Sequence, residues 1–441
     1  MDCLSRSQHA NAATAQRGQA MLLTVLLLAV GVAAFVYNFA TPAQITLQND
    51  RKSHAALAQV RDALIGWSAA RTPSGALPNA RPGELPCPDA NNDGFEDGNC
   101  VAGAIGRVPW KTLGIPEPKD GSGETLWYVF SGSFRIWNTN PNPINSDTAG
   151  QLTITGISPA ANVIAIVFSP GATIGAQNRD SATSSLCSTT GTTILNNLCP
   201  ANYLEGENAN GDTTYTTALA SSAYNDMLLP ITSDALFSVV NIRVAKDAIA
   251  ALESYRATNG YYPFANPYGS AAPYDCSNGL NRGRFPITLA GCGQTAWATL
   301  PGWFSQNNWN LVTHYAISKA CGQLGLPVAG LDAFVGTFLC GLSENLALVN
   351  IVLSFFGLSS FADEPLSVAG VTGGGNTRTL VIVTGRALGV QVHACASAGQ
   401  CLEDAANADG DVNYVKPSRF PASNDRMALS CSVSPPCPEV P

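Results

Sequence analysis

The sequence predicts an α+β protein in which a long N-terminal transmembrane and amphipathic helix precedes two duplicated, disulfide-rich modules. Each module is predicted to be a helix packed on a mostly antiparallel sheet. Three observations predict this class. A long apolar stretch lies near the N-terminus, ordered sequence matches relate the two halves of the chain, and every cysteine except Cys3 follows the apolar stretch in a close pair.

The apolar stretch covers residues 20–40, and no charged residue occurs between Arg17 and Asp50. As a helix it would span about 32 Å, which matches the hydrocarbon core of a bilayer. Arg6 and Arg17 precede it, and no Lys or Arg follows until Arg51. The positive-inside rule therefore predicts that residues 1–18 lie in the cytoplasm, that the helix lies in the inner membrane, and that the remaining chain lies beyond it.

Two other interpretations of the apolar stretch stay open. A plain membrane anchor has the same composition. A secretory signal peptide has small residues at a cleavage site, as in Val32-Ala33-Ala34, but its apolar core is shorter than this one.

A second helical pattern follows the apolar stretch. Its apolar residues recur at i, i+3, i+7 and i+10 and define one helical face: Leu57, Val60, Leu64 and Trp67. No proline occurs between Pro42 and Pro73. The sequence therefore predicts one N-terminal helix over residues 19–72 with a kink near Pro42.

The two halves of the chain contain matching residues in the same order. Residues 61–78 match 246–263 at an offset of 185, residues 208–212 match 407–411 at 199, and Asn225-Asp226 matches Asn424-Asp425 at 199. Trp110 and Tyr128 match Trp297 and Tyr315 at 187. These matches predict modules at residues 73–226, with its helix at 50–72, and at 235–425, followed by a tail at 426–441. Runs of β-branched residues predict the strands at 126–130, 163–168, 379–384 and 389–393.

The second module is predicted to carry an apolar insertion at residues 321–361. One interpretation is a disulfide-clipped helical hairpin buried on its own module. The other is an apolar surface for a partner subunit or for lipid.

The cysteines after the apolar stretch predict disulfides formed in an oxidising compartment, because they are even in number and close in pairs. The predicted pairs are Cys87/Cys100, Cys187/Cys199, Cys276/Cys292, Cys321/Cys340, Cys395/Cys401 and Cys431/Cys437. A zinc site is disfavoured because the sequence has no Cys-x-x-Cys and its four histidines do not cluster with cysteine.

Composition and motifs argue against several functions. The net charge of −8 and the absence of a basic patch argue against nucleic-acid binding. The sequence has no Gly-x-Ser-x-Gly motif, and His314 and His393 are interpreted as packed or surface residues. We therefore expect that the protein is not an enzyme.

One loop has the spacing of a calcium site. Its oxygen-bearing residues alternate as in an EF-hand-type loop, with Gly94 at the sixth position, and the predicted ligands are Asp89, Asn91, Asp93, Phe95 (through its backbone carbonyl) and Asp97. Cys100 stands at the twelfth position, where such loops have glutamate. A solvated turn without metal is the alternative.

The N-terminus resembles the class III leader of type IV pilins and pseudopilins, which is short and basic, ends in glycine and precedes a long apolar helix. Residues 255–263, with Gly260-Tyr261-Tyr262-Pro263, resemble the turn that leads from the helix into a pilin head. The resemblance implies that prepilin peptidase cuts after Gly18 and leaves Gln19 as the new N-terminus. Most family members have Phe or Met at that first position and Glu at the fifth, where this chain has Gln19 and Leu23.

A minority of minor pseudopilins, of the kind placed at the filament tip, lacks that glutamate in the same way. The resemblance therefore implies a minor pilin or pseudopilin at the tip of a type IV pilus or type II secretion pseudopilus, acting with other pilin or pseudopilin subunits in initiation, adhesion or secretion. Calcium-loaded minor pseudopilins support the calcium prediction. The alternative is a membrane-anchored periplasmic or cell-surface binding protein outside any filament.

Overall fold

The structure, a computed structural model, describes residues 9–39, 42–98, 100–101, 103–136, 141–269, 279–289, 297–322, 366–389, 395–418 and 423–431, with single positions at 338, 340, 351, 354, 391 and 393. In this part of the chain the helices are α1 (His9–Phe39), α2 (Pro42–Ala70), α3 (Ser233–Asn259), α4 (Gly302–Gln306), α5 (Ala398–Cys401) and α6 (Ala405–Ala408).

The strands of the first half are β1 (Ile105–Arg107), β2 (Trp127–Phe130), β3 (Leu152–Gly156), β4 (Ala160–Ser169), β5 (Ser184–Cys187), β6 (Thr192–Leu195), β7 (Thr214–Thr217) and β8 (Met227–Thr232). Those of the second half are β9 (Arg282–Arg284), β10 (Thr313–Ile317), β11 (Ser367–Ala369), β12 (Thr377–Val383), β13 (Asn413–Val415) and β14 (Arg426–Cys431).

The first sheet is built around β4, which is antiparallel to β2, β3 and β8. Strand β1 extends it beyond β2, and β7 pairs with β3 in parallel. The second sheet has the order β14-β12-β10-β9, and all of its pairs are antiparallel. Strands β11 and β13 form a separate parallel pair, and β5 and β6 a separate antiparallel hairpin.

The two halves repeat one topology. Strands β1, β2, β4 and β8 pair side by side in this order, and β9, β10, β12 and β14 pair in the same way. Matched residues occupy matched positions. Tyr128 and Tyr315 are both fully buried, and each donates its hydroxyl to a proline carbonyl, Pro86 at 3.3 Å and Pro263 at 2.8 Å. The module boundaries predicted from the sequence remain predictions.

Helices α2 and α3 contact each other, and both halves contribute to one hydrophobic core. The spacing of Leu57, Val60 and Leu64 puts their side chains on one face of α2, and all three are buried there. Helix α3 begins at an N-cap, where the Thr232 hydroxyl accepts a hydrogen bond from the Ala235 amide at 3.3 Å. It ends at Gly260, whose left-handed backbone (φ 83°) suits a residue without a Cβ.

The predicted N-terminal transmembrane helix is wrong. Across the described residues, no helix has the combination of length and apolarity that crossing a membrane requires. Helix α1 is described to Phe39 and α2 from Pro42, where the kink was predicted, and residues 40–41 lie outside the described part of the chain.

Several predictions concern residues outside the described part of the chain. The apolar insertion at 321–361 lies largely outside it, as do most of the tail at 426–441, Cys276, Cys292, Cys437 and the start of the leader.

Candidate functional site

The apolar part of α1 is exposed around its whole circumference. Every side chain described between residues 20 and 35 is exposed, from Leu23 at 59% to Met21 at 72% among the first apolar positions. The Thr24 hydroxyl bonds within the helix, to the carbonyls of Ala20 and Met21 at 3.0 and 2.9 Å. The Thr24 hydroxyl therefore has its hydrogen-bond acceptors within the helix, whereas the large apolar side chains around it are mostly exposed.

This exposure is energetically unfavourable in water. Burying one large aliphatic side chain contributes about 1.5–3 kcal/mol, and contiguous apolar patches of this kind mark interaction surfaces. The large apolar side chains exposed here are Met21, Leu22, Leu23, Val25, Leu26, Leu27, Leu28, Val30, Val32 and Phe35. We name residues 20–35 the assembly helix and treat it as the first candidate site.

The predicted processing position lies inside a helix. Gly18 and Gln19 belong to α1, which begins at His9 and continues through the assembly helix. One helix therefore continues from the end of the predicted leader into the apolar segment. Cleavage after Gly18 remains a prediction.

The second candidate site is the loop from Asp89 to Asp97, where backbone amides satisfy most side-chain oxygens. Asp89 is 1% exposed. Its Oδ1 accepts from the amides of Asn92 and Asp93 at 2.6 and 3.2 Å, and its Oδ2 accepts from Gly94 at 2.7 Å. Asp97 accepts from the Ala90 amide at 2.6 Å. Burial raises the pKa of Asp89, against the opposing effect of these amides.

This arrangement is a chain of Asx turns. The Asn91 Oδ1 accepts from the Asp93 amide at 2.9 Å, and the Asp93 Oδ1 accepts from the Phe95 amide at 2.8 Å. Within the described residues, no three acidic, His or Cys side chains are grouped so as to hold a metal ion. A calcium ion would compete with these hydrogen bonds for the side-chain oxygens, and calcium binding remains a prediction.

Four of the six predicted cysteine pairs are disulfides in the structure: Cys87–Cys100, Cys187–Cys199, Cys321–Cys340 and Cys395–Cys401. The first closes the Asp89 loop, and the second joins the end of β5 to the turn after β6. Because structural disulfides form and persist in oxidising environments, the protein belongs to an extracellular or periplasmic compartment.

A set of buried polar side chains connects the two halves of the folded part of the chain from α2 onward, which we name the head. The Arg81 guanidinium is fully buried, pairs with Glu84 at 3.4 Å and donates to the Asn307 side-chain oxygen at 2.7 Å. The same oxygen accepts from the Ile144 amide at 2.9 Å, and the Asn307 carbonyl accepts from the Asn145 side chain at 2.9 Å. Burial lowers the pKa of Arg81 to about 10, which keeps it charged at neutral pH. Asn307 therefore joins the second half to two segments of the first, at Arg81 and at Ile144-Asn145.

His314 and His393 have different surroundings. His314 is buried between Tyr268 and Tyr414, and burial lowers its pKa to about 3. The His393 side chain contacts the Asp147 carboxylate of the first half, and burial lowers the pKa of His393 to about 4. Burial therefore favours the neutral form of both imidazoles.

Sequence reasoning did not single out two matched carboxyl pairs. Glu205 contacts Asp226 in the first half, and Glu403 contacts Asp425 in the second. The two aspartates belong to the Asn-Asp dipeptides that repeat at an offset of 199. The repeat of these dipeptides was a sequence signal for the two aspartates. It could not reveal their contact with glutamates about 20 residues earlier in the chain, because that contact depends on strand order.

Comparison with protein-family models, with curated proteins and with solved structures gives no match to this chain.

Proposed function

We propose that this protein is a structural subunit of an extracytoplasmic filament, of the minor pilin or pseudopilin kind, whose assembly helix packs against the corresponding helices of neighbouring subunits. The observation that carries the proposal is the full exposure of residues 20–35. A helix that is apolar on all sides is stable when other apolar surfaces surround it, as inside a bundle of like helices.

The position of the assembly helix supports this proposal. It lies at the N-terminal end of the chain, ahead of the folded head that α2 enters. Gly31 leaves open space on the helix surface, since an added Cβ there meets no atom within 4 Å. Small residues of this kind allow neighbouring helices to approach closely. In this proposal the occupant of the surface is a second apolar helix.

The head supports a tip position. Two repeated sheets share one core with α2 and α3, so a single chain presents a double head. Leu23, at the position where most pilins carry glutamate, is apolar and 59% exposed. In this proposal the absent carboxylate fits a subunit that caps the filament, acting in initiation, adhesion or secretion. Prepilin peptidase and other pilin or pseudopilin subunits are its proposed partners.

The first experiment is the N-terminal mass of the protein produced with and without prepilin peptidase. We expect a start at Gln19 that disappears without the peptidase and in the variant Gly18→Val. A Met1 start in both backgrounds, or cleavage near Ala34, would overturn the proposal and leave an extracytoplasmic binding protein outside any filament.

A photo-crosslinking experiment tests packing directly. A benzophenone amino acid replaces Leu26, which is 60% exposed on the assembly helix, and in a matched control it replaces Leu219, which is 76% exposed on the head. We expect cross-links from position 26 to the N-terminal helix of a neighbouring subunit, and none from position 219. Equal labelling at both positions would contradict helix-specific packing.

A further inference from the structure

Each half of the head contains two carboxyl groups in contact at the same place in its topology. In the first half Glu205 precedes a short turn and Asp226 immediately precedes β8. In the second half Glu403 lies two residues before α6 and Asp425 immediately precedes β14. We name residues 205–217 and 403–415 the edge segments, because they end in β7 and β13, which pair in parallel with β3 and β11.

The carboxyl groups connect each edge segment to the last strand of its half. The Glu205 amide donates to the Asp226 Oδ2 at 2.9 Å, and the Asp226 amide donates to the Glu205 Oε2 at 3.1 Å. In the second half the Glu403 amide donates to the Asp425 Oδ2 at 3.4 Å, and Ser423 donates its hydroxyl to the Glu403 Oε2 at 2.9 Å. In the first half the two residues exchange amide–carboxylate bonds directly, whereas in the second half the Asp425 amide donates to the Ser423 hydroxyl, which in turn donates to Glu403.

An asparagine in each edge segment extends this connection. The Asn208 side chain donates to the Asp226 Oδ2 and accepts from the Thr216 amide, both at 2.9 Å. The equivalent Asn407 accepts from the Val415 amide at 2.8 Å. Each asparagine therefore holds the short turn or helix of its edge segment against the strand that follows.

One oxygen in each pair lacks a donor. Asp226, which is 6% exposed, has no hydrogen-bond partner for its Oδ1, and Glu403 has none for its Oε1. The two carboxyl groups of each pair are within hydrogen-bond reach of each other. A buried aspartate and a half-buried glutamate at this separation repel each other when both are ionised, whereas one proton between them supplies the missing donor and removes the repulsion.

The surrounding charges do not replace that proton, because they bond to other groups. Around the first pair, the Arg179 guanidinium donates to the carbonyls of Asn202 and Gly171 and pairs with Glu124 at 3.1 Å, and the Tyr224 hydroxyl contacts Asn208 at 3.2 Å. Around the second pair, Arg386 pairs with Asp234 at 2.8 Å and Arg426 donates to the Asp425 backbone carbonyl at 2.7 Å. The other neighbours of the second pair are Asp404, which follows Glu403 in the chain, and Tyr268.

We propose that each pair shares one proton in the folded protein. Loss of that proton at raised pH releases the edge segment from the last strand of its half. The protein would then contain two matched pH-sensitive contacts, one in each half. Burial raises the pKa of Asp226 and of Asp425 well above the usual aspartate range, and the neighbouring glutamate contributes in the same direction. The folded state therefore binds more protons than the unfolded state. The stabilisation is complete at acidic pH and is lost as the pH rises through the raised pKa.

The test is amide hydrogen exchange of the full-length protein at Thr216 and Val415, in EDTA, between about pH 5 and about pH 9. After correction for intrinsic exchange, we expect the local opening constant to rise about tenfold per pH unit up to the raised pKa of each pair and to level off above it, because opening releases the shared proton only while the folded state still holds it. The variants Asp226→Asn and Asp425→Asn keep a permanent donor and should abolish this rise, each in its own half. Asp212→Asn and Asp411→Asn, which change exposed carboxylates of the same segments, should leave it unchanged.

A pH-independent opening constant in the wild-type protein, or folded Asn variants that retain the rise, would overturn the proposal. Protection that EDTA abolishes at acidic pH would identify a bound cation in place of the proton and would also overturn it. If the Asn variants do not fold, the infrared carbonyl band of protonated carboxyl groups in the wild-type protein at neutral pH decides the question. Its presence is expected, and its absence would refute the shared proton.

Discussion

At the residue scale, the stability of the head depends on a few fully buried polar groups. Asn307 is 1% exposed and uses both its side chain and its backbone carbonyl in bonds to the first half. A buried polar group that loses its partner incurs a desolvation cost, and the cost is larger for a charged group such as Arg81.

We therefore expect Asn307→Ala to lower the free energy of unfolding by about 3 kcal/mol, because Arg81 and the Ile144 amide lose their acceptor. Denaturant unfolding at fixed pH measures the change. Gln306→Ala, at the exposed neighbouring position, should change stability by less than about 0.5 kcal/mol. Equal effects of the two substitutions would refute the role assigned to Asn307.

Calcium binding at the Asp89 loop is also a prediction at this scale. Because backbone amides already satisfy the carboxylates of Asp89 and Asp97, we expect weak binding, with Kd of about 10⁻⁴–10⁻³ M, as in extracellular calcium modules. Isothermal titration of the wild-type protein should detect it, and Asp93→Ala should abolish it. Asp212→Asn serves as the control for a change of one exposed carboxylate. No heat of binding at millimolar calcium would leave a metal-free turn.

At the scale of single elements, two glycines illustrate how backbone conformation decides the effect of a side chain. Gly66 lies within α2 at a solvent-exposed position, and an added Cβ there meets no atom within 4 Å. Gly260 ends α3 with a φ of 83°, in the left-handed region.

We expect Gly66→Ala to stabilise the protein by about 0.5–1 kcal/mol, because alanine restricts the unfolded chain and favours the helix. The same substitution at Gly260 should destabilise the protein by about 1–2 kcal/mol, since a Cβ is strained in the left-handed region. Each of these two Gly→Ala variants is the control for the other, because the substitution is the same. Thermal unfolding measures both changes in stability. A change of the same sign at the two positions would contradict this account.

The sequence predicted elements where local signals suffice. Cysteines close in the chain predicted the four disulfides in which both cysteines are described, and the spacing of Leu57, Val60 and Leu64 indicated the face of α2 that is buried. The predicted transmembrane helix was wrong: it rested on the composition of residues 20–40 alone, and no helix among the described residues has the length and apolarity of a membrane span. The processing site and the calcium loop remain predictions.

At the scale of the whole molecule, both halves contribute to one core. Leu64 of α2, Val240 of α3 and Val381 of β12 belong to the same buried cluster. Two repeats that share a core unfold together, because neither half can lose its packing without exposing apolar surface of the other.

We expect Leu64→Ala to lower the free energy of unfolding by about 2–5 kcal/mol and to reduce global hydrogen-exchange protection equally in β4 and β12. Leu219→Ala, at a side chain that is 76% exposed, is the control and should change neither half. Two separate unfolding transitions, or a loss of protection confined to the first half, would show that the halves are independent.

The sequence by itself determined which segments pair locally: the disulfide loops, the amphipathic face of α2 and the residues repeated in the two halves. These signals lie within one helix, within one loop or along an aligned repeat, so neighbours in the chain suffice to reveal them. Only the tertiary structure decided which groups meet across the fold. Asn307 reaches Arg81, and Glu205 and Glu403 reach Asp226 and Asp425, through strand order and through the packing of two halves on one core. No local pattern encodes those contacts, because they depend on distances set by elements far apart in the chain.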